Sequence, residues 1–133
     1  MQGVIKMSKW FDVIVLVFYC AFIYWLSSHE TLPKLHLFFS FQDKIYHATA
    51  YFVMGVLTWR CVRKQQKMRF IIPIPFLLSV VFCSLYGISD EWHQSFVAGR
   101  SSDVFDWLAD TIGASLAMLT IYMFKLNSTE NHH

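Results

Sequence analysis

Long apolar runs alternate with short polar stretches along this chain. The runs extend from about Trp10 to Leu26, Asp43 to Arg60, Phe70 to Ser89 and Trp107 to Phe124, each 17 to 20 residues long. That is near the roughly 20 residues a helix needs to cross a bilayer at 1.5 Å per residue. The pattern predicts an all-α, four-helix transmembrane bundle spanning residues 1–126 as one domain. Between the first two helices, residues 29–42 hold Pro33 and the aromatic run Phe38, Phe39 and Phe41, which predicts a segment lying along the outer interface. Pro73 and Pro75 fall in the first turn of the third helix, where a missing N–H matters least. Asn127 to His133 reads as a disordered tail, and His132 and His133 within it are not expected to belong to a site.

Composition supports the membrane class. With 56% hydrophobic residues in 133, a soluble domain of this size has too little interior to hide its apolar surface. The first run lacks a small-x-small cleavage site, so it is expected to be a retained helix rather than a signal peptide. Cys20, Cys61 and Cys83 form no CxxC pair and are expected to be packing residues, with Cys61 in a basic loop.

Charge gives the orientation. Lys6, Lys9, Arg60, Arg63, Lys64, Lys67, Arg69 and Lys125 fall on one side of the predicted bundle, and Lys34, Lys44 and Arg100 on the other. The excess of positive residues predicts cytoplasmic termini and a cytoplasmic 60–69 loop. Contact with anionic lipid explains that loop; no platform for nucleic acid accompanies it. Acids divide the opposite way: Glu30, Asp43, Asp90, Glu91, Asp103, Asp106 and Asp110 are expected outside, and only Asp12 and Glu130 inside.

Charged groups this close to lipid persist where they pair or work. Asp43, His47 and Tyr51 are spaced i, i+4, i+8 and share a helix face. Asp43 can cap the second helix. His47 can hydrogen-bond a neighbouring helix, or move a proton or hold an anion. Asp90 and Gln94 share a face at the exit of the third helix, beside Glu91 and His93. Two adjacent acids there can act as acid and base, one can bind a cation, or the two can form a solvated helix end; capping does not explain them, because acids oppose the dipole at a C-terminus. Gly99 can take positive φ in the following turn, and Ser101 or Ser102 can cap the fourth helix. Arg100 is expected to clamp an outer carboxylate, or else to bind a phosphate or carboxylate bidentately. Asp103, Asp106 and Asp110 are spaced i, i+3, i+7 on one face, with Gly113 allowing close helix approach. Asp110 and His47 lie at comparable depth, which predicts a contact between them. Carboxylates and imidazole suit a divalent ion, but no fixed ligand spacing such as HExxH is present; neither a metal nor another cofactor is expected.

These blocks form an ordered set. Asp43-Lys44-x-x-His47-x-x-x-Tyr51, then Asp90-Glu91-x-His93-Gln94-x-Phe96-Val97-x-Gly99-Arg100-Ser101, then Asp106-x-x-x-Asp110-x-x-Gly113 together resemble the VanZ-like membrane proteins. The match covers the last three helices; Ala98 stands where the family commonly has proline. The resemblance implies a small multi-pass protein of the bacterial cytoplasmic membrane, acting at its extracytoplasmic face. The family's name comes from a protein associated with low-level resistance to teicoplanin-type glycopeptides. The leading expectation is engagement of a cell-envelope lipid or peptidoglycan-precursor headgroup, with Lys44, His47 and Arg100 on the anion. Asp43, Tyr51, Asp90, Glu91, His93, Gln94, Asp103, Asp106 and Asp110 complete the expected binding belt. The alternatives are a small hydrolase or transferase on a lipid-linked substrate, with Glu91, Asp110 and His47 as the catalytic candidates, or a scaffold whose belt only locks helices together.

Overall fold

The apolar run between Trp10 and Leu26 holds no helix breaker and a single charge, and it forms α1, Lys9–Ser27. Three further helices follow: α2, Gln42–Gln65, α3, Pro73–Gln94, and α4, Val104–Glu130. The structure is a computed structural model, which describes residues 9–29, 41–65 and 73–130. The expected interfacial segment (Pro33, Phe38, Phe39), the charges at Lys6, Glu30, Lys34, Lys67 and Arg69, and residues 131–133 lie outside the described residues.

Contacts between helix ends fix an up-down-up-down arrangement. At one end Asp12 of α1 meets Arg60 and Lys64 of α2, and Lys125 of α4 lies over Trp59 of α2. At the other, Ser27 of α1 meets Asp90 of α3, and Lys44 of α2 meets Asp106 of α4. The start of α1 and the end of α4 therefore share the basic end, and the acidic motifs share the opposite one. Three helices hold stretches long and apolar enough to cross a membrane, Trp10–Ser27, Ile74–Gln94 and Val104–Glu130. Exposed Phe18, Leu77, Leu85, Ile112 and Leu119 give their outward faces the apolar surface that lipid requires. The 24-residue α2 is charged at both ends and contributes Tyr51, Met54 and Thr58 to the interior.

Small residues set how closely α2 and α4 approach. A β-carbon added to Gly55 would lie 3.2 Å from Ala114 Cα, and one added to Gly113 would lie 2.9 Å from Ala48 Cα. Between helices in lipid, such backbone proximity supplies the dispersion contacts that hydrophobic exclusion cannot. The core continues through Ile23, Tyr51, Met54, Cys83 and Ala114, then Trp59, Ala117 and Met118.

Several boundaries differ from expectation. α3 runs through Asp90–Gln94 rather than ending at Ser89, because the polar side chains of that turn find partners inside the bundle. α2 continues past Arg60, and Cys61 is a buried helical residue rather than part of a loop; Arg63 and Lys64 in its last turn complement the helix dipole. α4 extends to Glu130, so residues 127–130, expected in a disordered tail, are helical, with the Thr129 hydroxyl bonded to the Lys125 carbonyl.

Candidate functional site

The belt is assembled from the C-terminal turn of α3 and the first turns of α2 and α4, with the end of α1 closing one side. Asp90, Glu91, Gln94, Asp106 and Asp110 are all buried. Two partly separate networks run through them.

The first surrounds Asp90 with uncharged donors. Ser27 donates to its Oδ1, while the Tyr51 hydroxyl (3.3 Å) and Gln94 Nε2 (3.4 Å) donate to Oδ2. A buried carboxylate without a cation is tolerable only when several donors converge on it in this way. Tyr51 is thus both a core residue and a ligand of Asp90. Ser27 was not foreseen; its only signal is a hydroxyl at the end of an apolar run, level with the other helix ends.

The second network is charged. Lys44 Nζ bridges Asp103 Oδ2 (2.7 Å) and Asp106 Oδ1. His47 stands between two aspartates, with Nδ1 2.8 Å from Asp110 Oδ1 and Nε2 3.7 Å from Asp106 Oδ2. The contact expected between His47 and Asp110 is therefore present. Asp110 is fully buried, and a β-carbon on Gly87 would come 2.9 Å from its Oδ2. Gly87, which the motif reading passed over, makes the space on α3 that admits this carboxylate. The Lys44 ammonium holds the Asp103 carboxyl below the usual carboxylate range, helped by the Phe105 N–H.

Three expected roles are corrected. Arg100 does not clamp a carboxylate among the described residues; its Nε donates to the His29 carbonyl at 3.0 Å, tying the α3–α4 turn to the end of α1. Lys44 is the cation that pairs with the belt acids, because its helix packs directly on α4. The cap of α4 is Asp103 rather than Ser101 or Ser102: its Oδ1 accepts the Phe105 N–H at 2.9 Å. Asp43 lies within the first turn of α2, one residue past Gln42, so it complements the helix dipole instead of capping. Gly99 takes the expected positive φ, 78°.

His93 faces α1, stacked on Tyr24 with ring centroids 4.4 Å apart. Glu91 turns towards α4, its Oε2 accepting the Asp103 N–H at 2.9 Å. Glu91 Oε1, Asp110 Oδ2 and His93 Nδ1 are buried and have no hydrogen-bond partner among the described residues. Two groups bring ligand-capable atoms within 4.8 Å of one another: Asp43, His47 and Asp106 near the surface, and His47, Glu91 and Asp110 beneath.

A family model described as VanZ/LLP1 matches residues 10–125. No curated protein and no solved structure matches the chain.

Proposed function

This chain belongs to the VanZ/LLP1 family, and we propose that as a membrane protein it engages the polar headgroup of a cell-envelope lipid or lipid-linked peptidoglycan precursor. The belt would face the extracytoplasmic side of a bacterial cytoplasmic membrane. The observation that carries this reading is the set of buried polar atoms at one end of the bundle that have no partner among the described residues, Glu91 Oε1, Asp110 Oδ2 and His93 Nδ1. Buried polar groups are costly unless bonded, so unspent capacity gathered in one layer calls for hydroxyl or amide partners from a ligand. Arg100, half-buried at the neighbouring turn and bonded among the described residues through Nε to the His29 carbonyl, supplies the fork that suits a phosphate. Lys44 and His47 are engaged by aspartates and act as supports in this reading. If the headgroup belongs to a peptidoglycan precursor, reduced susceptibility to teicoplanin-type glycopeptides is the phenotype to expect.

Native mass spectrometry of the detergent-purified protein tests the proposal. Wild type is expected to retain envelope lipid, Arg100→Ala to lose most of it, and Asp110→Asn to weaken it. Equal retention in all three chains overturns a headgroup role for the belt.

A second reading rests on the convergence of His47, Glu91 and Asp110 within 4.8 Å. Glu91 or Asp110 as base and His47 as acid would suit a hydrolase or transferase acting on the same class of substrate. Release of a headgroup from extracted lipid, abolished by Glu91→Gln with lipid retention intact, would select it.

A further inference from the structure

Glu91 and Asp110 share a shortage of positive charge. Among the four buried carboxylates of the belt, Asp90 is held by Ser27, Tyr51 and Gln94, and Asp106 by Lys44. Glu91 and Asp110 are left with the single imidazole of His47 near both. Each has spent one oxygen, Glu91 Oε2 on the Asp103 N–H and Asp110 Oδ1 on His47. Each keeps a second oxygen that is buried and unpartnered. Glu91 is 6% exposed and Asp110 0%, so bulk water reaches neither freely. Two buried carboxyl groups beside one imidazole bring more acid than base together, an imbalance that a bound cation would offset.

We propose that His47, Glu91 and Asp110 form a binding site for one divalent cation of the first transition row, such as Mn²⁺, Fe²⁺ or Zn²⁺. Mixed oxygen and nitrogen donors suit these ions. Bonds of about 2.1 Å place neighbouring ligands about 3 Å apart and opposed ligands about 4 Å apart. His47 Nδ1 and Asp110 Oδ1, 2.8 Å apart, already stand at the neighbouring separation, and one ligand-capable atom from each of the three residues lies within 4.8 Å of the others. The ion displaces any proton on Nδ1. The opposite nitrogen, Nε2, then carries the hydrogen and lies 3.7 Å from Asp106 Oδ2, just beyond hydrogen-bond distance, on the side where a carboxylate commonly orients a ligating histidine. The missing side chain at Gly87 leaves the space in which the Asp110 carboxylate itself sits. The ligands come from α2, α3 and α4, one each, which is why no fixed spacing announces the site in the sequence.

The test uses the full chain, purified in detergent and stripped with a chelator, then titrated with Mn²⁺ while electron paramagnetic resonance reads the free ion. Wild type and Asp12→Asn, altered at the opposite end of the bundle, are expected to bind one Mn²⁺ per chain. Glu91→Gln and Asp110→Asn are expected to bind at least tenfold more weakly while keeping wild-type helical circular dichroism. Pulsed measurements on wild-type protein, which need no variant to fold, should show ¹⁴N coupling to the bound ion that disappears in His47→Gln. A chain with His132→Ala and His133→Ala should keep both the binding and the coupling. Any of three results overturns the site: no Mn²⁺ bound at millimolar concentration, a bound ion without nitrogen coupling, or loss of binding in Asp43→Asn with retention in Glu91→Gln. Lipid retention is measured separately, so failure of the cation site is distinguishable from failure of the headgroup reading.

Discussion

Gly113 of α4 rests against the backbone of Ala48 in α2 so closely that a β-carbon on it would come 2.8 Å from the Ala48 carbonyl carbon and 2.9 Å from its Cα. The residue before Ala48 is His47, and one turn before Gly113 is Asp110. The absence of a side chain at Gly113 therefore sets the distance across which His47 and Asp110 meet.

Gly113→Ala is expected to destabilise the bundle by about 1–3 kcal/mol, the range for overpacking a close-fitted interior. The obstruction is backbone, so no rotamer change relieves it. Thermal unfolding in detergent reads the loss; an unchanged midpoint would show that α2 and α4 can separate freely.

Breaking the His47–Asp110 pair from one side should cost more than removing both partners. His47→Leu leaves Asp110 buried without its imidazole, a loss on the order of 3–5 kcal/mol. His47→Leu combined with Asp110→Leu should recover much of that. A double-mutant cycle with no coupling between the two positions would contradict the pairing.

The basic end behaves differently. Asp12 is buried while Arg60, 2.9 Å away, and Lys64 remain partly exposed. Asp12→Asn strands two cations that water can still reach, so the expected loss is about 1 kcal/mol. Lipid retention and Mn²⁺ binding should be untouched, which separates stability from any role of the opposite end.

Acid should weaken the Lys44–Asp103 tie. Asp103 has its carboxyl lowered by the Lys44 ammonium, so its contribution is present above the unfolded value of about 3.9 and disappears as pH falls through the lower folded value. Unfolding midpoints of wild type should therefore drop more steeply below pH of about 4 than those of Asp103→Asn. Parallel curves would mean that the tie adds nothing.

Much of the belt was legible because helical spacing alone places Asp43, His47 and Tyr51, or Asp103, Asp106 and Asp110, on single faces. Depth along each helix then pointed to His47 with Asp110. For Arg100 the sequence points to the wrong partner, because it is the belt-end guanidinium in the motif blocks and chemistry favours a carboxylate for it. Its actual partner, the His29 carbonyl, is a backbone atom that no side-chain pattern advertises. Ser27 and Gly87 escaped notice for a related reason: a hydroxyl and a missing side chain acquire meaning only beside Asp90 and Asp110.

By itself the sequence determined that four apolar segments form helices and that their acidic motifs gather at one end. Hydrophobic length and helical period are local properties, readable from the order of residues. The tertiary structure decided which charges meet. Lys44 takes Asp106 because α2 and α4 touch through Gly113 and Ala48, and Glu91 and Asp110 come to share one imidazole because Gly87 opens α3 beside them. Those pairings depend on distances between helices, which small residues at the α2–α4 and α3–α4 crossings set and which no spacing within a single helix encodes.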